Sequence, residues 1–192
     1  MRRVRRDAPD LVLLDVMLPG IDGIEALRQV RTFSGIYVIV VTARTEEVGK
    51  LVGLGVGADD YVTKPFSPRE VAARVKAVLR RDRAVRQAGA AVLRFDGLTV
   101  DPGTREVTAG GTPVGLSALE FDLLAALAEA PGRVFSRRQL LERVWGYDFF
   151  GDERVVDVPI RSLRARLGDD AANPRLIAAV RGVGDKFTGR PV

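Results

Sequence analysis

The chain of 192 residues contains no cysteine and no histidine. A disulfide framework is therefore excluded, and so is a Cys/His zinc site. Ser-His-Asp and Cys-His nucleophile systems are excluded as well. Any general base or metal ligand has to be a carboxylate, a lysine, a tyrosine or a backbone group. Long apolar runs are also lacking. The longest are Leu11–Leu14 and Ile36–Val41, far short of the ~20 residues a membrane-spanning helix needs. The basic start Met1–Arg6 leads into Asp7, Pro9, Asp10 and Asp15, with no apolar signal core or cleavage site. A cytoplasmic protein with no membrane association is expected. Lysine is scarce: of 30 basic residues only Lys50, Lys64, Lys76 and Lys186 are Lys. Arginine suits forked contacts to phosphate better than lysine does.

What is present defines a folded chain. Hydrophobic residues make up 46% and charged residues 29%, which excludes a mostly disordered protein. The length suits one domain or two small ones. The net charge of +5 is unevenly placed. Residues 1–88 hold 16 basic and 11 acidic side chains, residues 89–153 hold 6 and 10, and residues 154–192 hold 8 and 4. The last block fits either a phosphate backbone or a solvated basic tail.

The first half alternates strand and helix, the signature of a parallel α/β sheet. Asp10–Val16 and Ile36–Val41 read as strands buried on both faces. Asp22–Arg31 has helical spacing, and Thr45–Gly57 is a glycine-interrupted candidate helix. Asp60–Thr63 is a short third strand. Ser67–Arg81 reads as a helix, with Ser67 as N-cap, Pro68 at the first position and Glu70 closing a capping box. Asp82–Ala91 breaks the pattern and reads as a linker. The second half opens with short strands over Leu93–Val100, Glu106–Thr108 and Pro113–Leu116. Capping boxes at Ser117–Glu120 and Ser136–Gln139 open two helices. Arg154–Leu167 is a third helix closed by Gly168, and Leu176–Thr188 folds as a hairpin around Gly182–Gly184.

Asp15, Thr42 and Lys64 end successive strands. In open α/β sheets, ligands bind at the carboxyl ends of strands. Carboxylate, hydroxyl and ammonium on one rim suit an acyl phosphate: the carboxylate attacks phosphorus while the other two bind phosphoryl oxygens. Taken singly, each also reads as a strand-end cap.

The stretches VLLDVMLPGIDGIEAL, VIVVTAR and GADDYVTKPFSPREVAARVKAVLRR resemble the receiver domain of bacterial two-component response regulators. The resemblance implies a flavodoxin-like α/β receiver over residues 1–83, represented by strands 3-4-5 of that fold, and a linker over residues 84–91. It implies Asp15 as phosphoacceptor for a sensor histidine kinase, with Thr42 and Lys64 as phosphoryl ligands. Tyr61 would be an aromatic switch, and Lys64–Pro65 a cis bond. Mg²⁺ would be held by Asp15 and the Met17 carbonyl. The pattern's first two strands, and the acidic pair that follows the first, have no counterpart here. Weak Mg²⁺ binding is expected, since Mg²⁺ sites rely on carboxylates. The strand at Asp10–Val16 would then be a sheet edge open to pairing. The family's homodimer face maps to Lys50, Asp59, Asp60, Glu70, Arg74 and Arg81, which also read as a charged solvent face.

Residues 92–192 resemble the winged-helix effector domain of the OmpR/PhoB subfamily. FDGLTVD, GLSALEFDLLAALAEAPGRVFSRRQLLERVWG, RVVDV, IRSLRARLG and VRGVG carry the resemblance. An α+β winged helix-turn-helix domain binding double-stranded promoter DNA at tandem half-sites is implied. Val156, Ile160, Leu163 and Leu167 form one apolar face of the third helix. Arg154, Val158 and Arg161 lie opposite, suited to a major groove. Val155 belongs to the same contact set. Arg154, Arg164 and Arg166 suit phosphates, and Arg181 and Lys186 form the wing contacts. Pro159 stands where the family has histidine. It either kinks the helix or makes it start late, with Asp157 as N-cap. Asp185 stands where the family has an aromatic residue and is unfavourable if buried. Trp145–Gly151 matches the loop that contacts RNA polymerase; Trp145 and Phe149 also read as core anchors. The leading reading is a transcriptional response regulator and not an enzyme, phospho-switched at Asp15. The alternative is a phosphorylation-independent DNA-binding regulator whose receiver mediates only dimerisation.

Overall fold

A computed structural model describes residues 2–7, 9–17, 22–43, 55–87, 91–146 and 153–192. The chain divides into two compact units: Met1–Arg80 with Ser117–Leu119, and Arg81–Leu116 with Glu120–Val192.

In the first unit, helix α1 (Arg2–Asp7) precedes strand β1 (Leu11–Asp15). Helix α2 (Gly23–Arg31) follows, then β2 (Tyr37–Thr42) and β3 (Asp60–Thr63). The three strands pair in parallel in the order β1-β2-β3. Central β2 is buried at all six positions, as its unbroken apolar run requires. β1 differs from the expected fully buried strand. Leu13 is half exposed, because β1 lies at the edge of the described sheet. Leu27 and Val30 of α2 pack on Val38 and Val40. The expected helix over Thr45–Gly57 lies largely outside the described residues.

Helix α3 runs Pro68–Gln87, past the expected end at Arg81 and into the expected linker. The segment Asp82–Gln87 has no glycine or proline, so nothing in it stops the helix.

The second unit opens with an antiparallel sheet of β4 (Leu93–Phe95), β5 (Leu98–Asp101), β6 (Glu106–Ala109) and β7 (Thr112–Pro113). The strand expected over Leu93–Val100 is in fact two. Asp96–Gly97 turns the chain, with Gly97 at φ 73°. An Asp-Gly pair between apolar residues is a hairpin signal that pattern reading overran. Helix α4 (Ala118–Ala128) is buried at all eleven positions, Glu120 and Asp122 included, and from Glu120 onward it lies in the core of the second unit. The order continues with β8 (Val134–Phe135), helix α5 (Arg137–Val144), a 3₁₀ turn (Glu153–Val156), helix α6 (Asp157–Leu167), β9 (Ile177–Val180) and β10 (Gly184–Phe187). β10 lies between β8 and β9. The capping box at Ser136 and Gln139 forms with both of its bonds.

Pro159 is the third residue of α6. A helix leaves its first N–H groups without intrahelical partners, so a proline there loses no bond. The late start is the outcome, with Val156, not Asp157, as N-cap. The Asp157 carboxylate instead accepts from Arg137 at 2.7 and 3.3 Å.

Candidate functional site

The ends of β1, β2 and β3 bring together the residues expected at one rim. Asp15 ends β1, Thr42 ends β2, and Lys64 follows β3 directly. Backbone bonds fix the rim: Val16 N–H donates to Val41 C=O at 3.0 Å, and Lys64 N–H to Thr42 C=O at 2.8 Å. The Lys64–Pro65 peptide is cis. Lys64 Nζ donates to Asp15 Oδ2 at 2.5 Å, and Met17 N–H donates to Asp15 Oδ1 at 2.9 Å. Both bonds favour the anion, Lys64 foremost, and hold the Asp15 carboxyl below its ordinary pKa. Asp15 is therefore ionised at neutral pH, the form a nucleophile needs. Thr42 is buried, and Tyr61 is half-buried against the α2-facing core. Gly23 allows this rim to close. A Cβ there would lie 2.6 Å from Val16 Cα and 2.8 Å from the Asp15 carbonyl oxygen. The start of α2 thus sits against the loop that carries Asp15.

Two of the expected dimer-face residues, Asp59 and Asp60, are buried within the first unit, while Glu70 is exposed. Asp59 is fully buried. It accepts from Arg31 at 2.7 Å and from Val38 N–H at 2.6 Å. Asp60 is buried and accepts from Arg74 at 3.1 and 3.2 Å. Arg74 also binds Glu70 at 3.2 Å. A carboxylate withdrawn from water needs a partner inside, so Asp59 and Asp60 turn inward and are not surface charges. Lys50 and the Arg81 side chain lie outside the described residues.

In the second unit, Val156, Ile160, Leu163 and Leu167 are all buried, as expected. Burial of each stabilises by roughly 1.5–3 kcal/mol. Away from that face, α6 presents exposed Arg161 and Arg166 with half-buried Val158, while Arg154 is exposed in the 3₁₀ turn before the helix. Arg181 is exposed at the tip of the β9–β10 hairpin. Lys186 lies within β10, below the tip, and is half-buried. A cleft of about 580 Å³ runs between α6 and the hairpin.

Two of the expected DNA-contact residues are turned into the unit. Val155 is buried in the 3₁₀ turn and cannot reach a base. Arg164 is committed internally: Nε donates to Ile177 C=O at 2.9 Å and Nη2 to Asp185 Oδ1 at 2.7 Å. The same pair resolves the expected penalty at Asp185, whose carboxylate is largely buried but paired. Trp145 is buried and caps α5, the core-anchor reading. Phe149 lies outside the described residues.

Sequence reasoning also missed Arg137. It opens α5, lines the cleft, and is linked to the start of α6 through Asp157. That bond foremost holds its pKa above the ordinary arginine value. Its position after the Ser136 cap was the available signal.

Comparison with known proteins now decides the family. The response regulator receiver domain matches residues 1–76, and the C-terminal domain of transcriptional regulatory proteins matches residues 111–187. The chain is 47% identical over 186 residues to the sensory transduction protein RegX3 of Mycolicibacterium smegmatis, covering 96% of this chain and 82% of that protein. The chain belongs to the response regulators that join a receiver domain to the C-terminal domain of transcriptional regulatory proteins. It is also 47% identical over 183 residues to the DNA-binding response regulator MtrA of the same organism, covering 95% of this chain and 79% of that protein. Among solved structures, a RitR mutant superposes with TM-score 0.79 at 27% identity, covering 97% of this chain and 82% of that one. This response regulator therefore pairs a receiver with a winged-helix DNA-binding domain, and it is a two-component transcriptional regulator. Its family binds promoter DNA through the C-terminal domain and interacts with sensor kinases. No helix among the described residues is long and apolar enough to cross a membrane.

Receiver domains typically bind Mg²⁺ at the phosphorylation site. Among the described residues here, no three acidic side chains converge to hold a metal. Asp15 and the Met17 carbonyl alone fall short of a carboxylate-rich Mg²⁺ site.

Proposed function

We propose that Asp15 is the phosphoacceptor through which a sensor histidine kinase regulates this protein, which acts as a transcription regulator and not as an enzyme. The 2.5 Å contact between Lys64 Nζ and Asp15 Oδ2 carries the reading. In the transfer, an Asp15 oxygen attacks the phosphorus of the kinase phosphohistidine. The P–O bond forms as the P–N bond breaks, and the imidazole nitrogen keeps the electron pair. Lys64 then follows the charge from the carboxylate to a phosphoryl oxygen, and the Thr42 hydroxyl donates to another. Tyr61 senses the displacement of Thr42.

The output surface is α6 with the wing tip. Arg161 and Val158 face base edges; Arg154, Arg166 and Arg181 take phosphates. Two copies on tandem half-sites give the dimeric complex. RNA polymerase meets the loop after Trp145, through its parts other than the buried indole.

A second reading has support in the sparse acidic set around Asp15: phosphorylation-independent DNA binding. Incubation with acetyl phosphate and Mg²⁺, followed by intact mass, separates the two. The first predicts one added phosphoryl group, absent in Asp15→Asn. An unmodified wild-type chain favours the second.

A further inference from the structure

Arg164 and Asp185 form an ion pair on the wall of the cleft between α6 and the hairpin. Arg164 comes from α6, between the surface arginines Arg161 and Arg166. Its guanidinium reaches both strands of the wing, binding Ile177 C=O on β9 and Asp185 on β10. The side chains are 14% and 13% exposed. Both line the cleft alongside Arg137, Arg161 and Arg181. Two of the five guanidinium donors, Nε–H and one Nη2–H, are taken by the carbonyl and the carboxylate, and these two bonds fix the direction of the side chain. To reach a phosphate it would leave Asp185 in the cleft without its partner, a negative charge facing DNA.

We propose that Asp185 sets the DNA affinity of this protein by holding Arg164 on the wing, away from the phosphate backbone. The proposal rests on the reading that α6 and the wing form the DNA surface. It assigns Arg164 as a positioning residue that fixes the angle between α6 and the hairpin. Fewer phosphates are neutralised than the arginine content of α6 suggests. A larger share of discrimination then falls to Arg161 and Val158, because phosphate contacts carry no sequence information.

Salt dependence tests this without knowledge of the operator, since each neutralised phosphate contributes about 0.9 to the slope of log K against log salt. The full chain is titrated by fluorescence anisotropy on a mixed-sequence duplex of about 30 base pairs over a range of salt. Asp185→Ala is expected to steepen the slope by about 1 and to tighten low-salt binding by roughly fivefold. Arg164→Gln is expected to leave the slope at the wild-type value. The double variant Arg164→Gln/Asp185→Ala should return to that value, separating a released Arg164 from mere loss of the carboxylate. If Asp185→Ala does not fold, Asp185→Asn and Arg164→Gln decide the matter, with Asp185→Asn steepening the slope less. A slope that falls by about 1 in Arg164→Gln, or that stays fixed in every folded Asp185 variant, overturns the proposal. Arg166→Gln is the control, expected to lower the slope by about 1, because Arg166 is exposed and assigned to a phosphate. If it does not, the assignment of the DNA surface itself fails, whatever Asp185 does.

Discussion

Arg31→Met removes one side of an ion pair that the first unit keeps away from water. Arg31 is 6% exposed and Asp59 is 0% exposed. The guanidinium donates to Asp59 Oδ2 at 2.7 Å, Gly57 C=O at 2.7 Å and Ile36 C=O at 2.6 Å. It thereby ties the end of α2 to the entries of β2 and β3. Methionine fills much of the space but satisfies none of these acceptors. Breaking a buried pair from one side costs about 3–5 kcal/mol, because the remaining charge stays desolvated. For a unit of this size each kcal/mol lowers Tm by about 4–8 °C, so a fall of at least about 12 °C is expected. Differential scanning calorimetry of the full chain reads it as a shift of the receiver transition, with the winged-helix transition unmoved. The shift should not depend on protein concentration, because the pair is internal. A fall below about 4 °C would refute the reasoning. So would a loss that appears only at dilution, which would return Asp59 to an intersubunit role.

Three further outcomes follow from the geometry. Gly184 has φ 159°, and a Cβ there would lie 1.9 Å from the Phe135 carbonyl oxygen. Gly184→Ala should destabilise the winged-helix unit by about 2–4 kcal/mol in urea melts, and a change under about 1 kcal/mol would contradict the close approach. Pro159→Ala should change stability by less than about 1 kcal/mol, whereas a gain of about 3 kcal/mol would mean that the proline breaks the helix after all. Lys64→Met should raise the Asp15 pKa toward its ordinary value, read by carboxylate NMR titration. Since the folded pKa is depressed, the stabilisation from Asp15 is present above its unfolded pKa and is lost as pH falls through the folded one. An unchanged Asp15 titration in Lys64→Met would remove Lys64 as the cause.

The phosphoryl rim was legible because strand ends are local events. Apolar runs end at Asp15 and Thr42, and the third strand gives way to Lys64 and Pro65, so parallel pairing brings the three together. The apolar face of α6 was legible for the same reason, since its period lies in one helix. Partners distant in sequence were not. Nothing near Asp59 says that Arg31 reaches it, or that Arg164 closes on Asp185 across the start of the wing. Charged residues read as surface until a tertiary partner withdraws them, and no helical or strand period encodes that partner. Short-range signals were also outweighed at two boundaries. The Asp96–Gly97 turn was hidden in an apolar run, and the α3 C-terminus was placed at a charge cluster that helices tolerate.

The central claim is that phosphorylation of Asp15 governs DNA binding through α6. One measurement addresses it most directly: duplex-DNA affinity of the full chain before and after acetyl phosphate treatment, with the phosphorylated fraction counted by intact mass. The account predicts an affinity change that scales with the phosphorylated fraction and is absent in Asp15→Asn. Quantitative phosphorylation of Asp15 with no change in DNA affinity would contradict it.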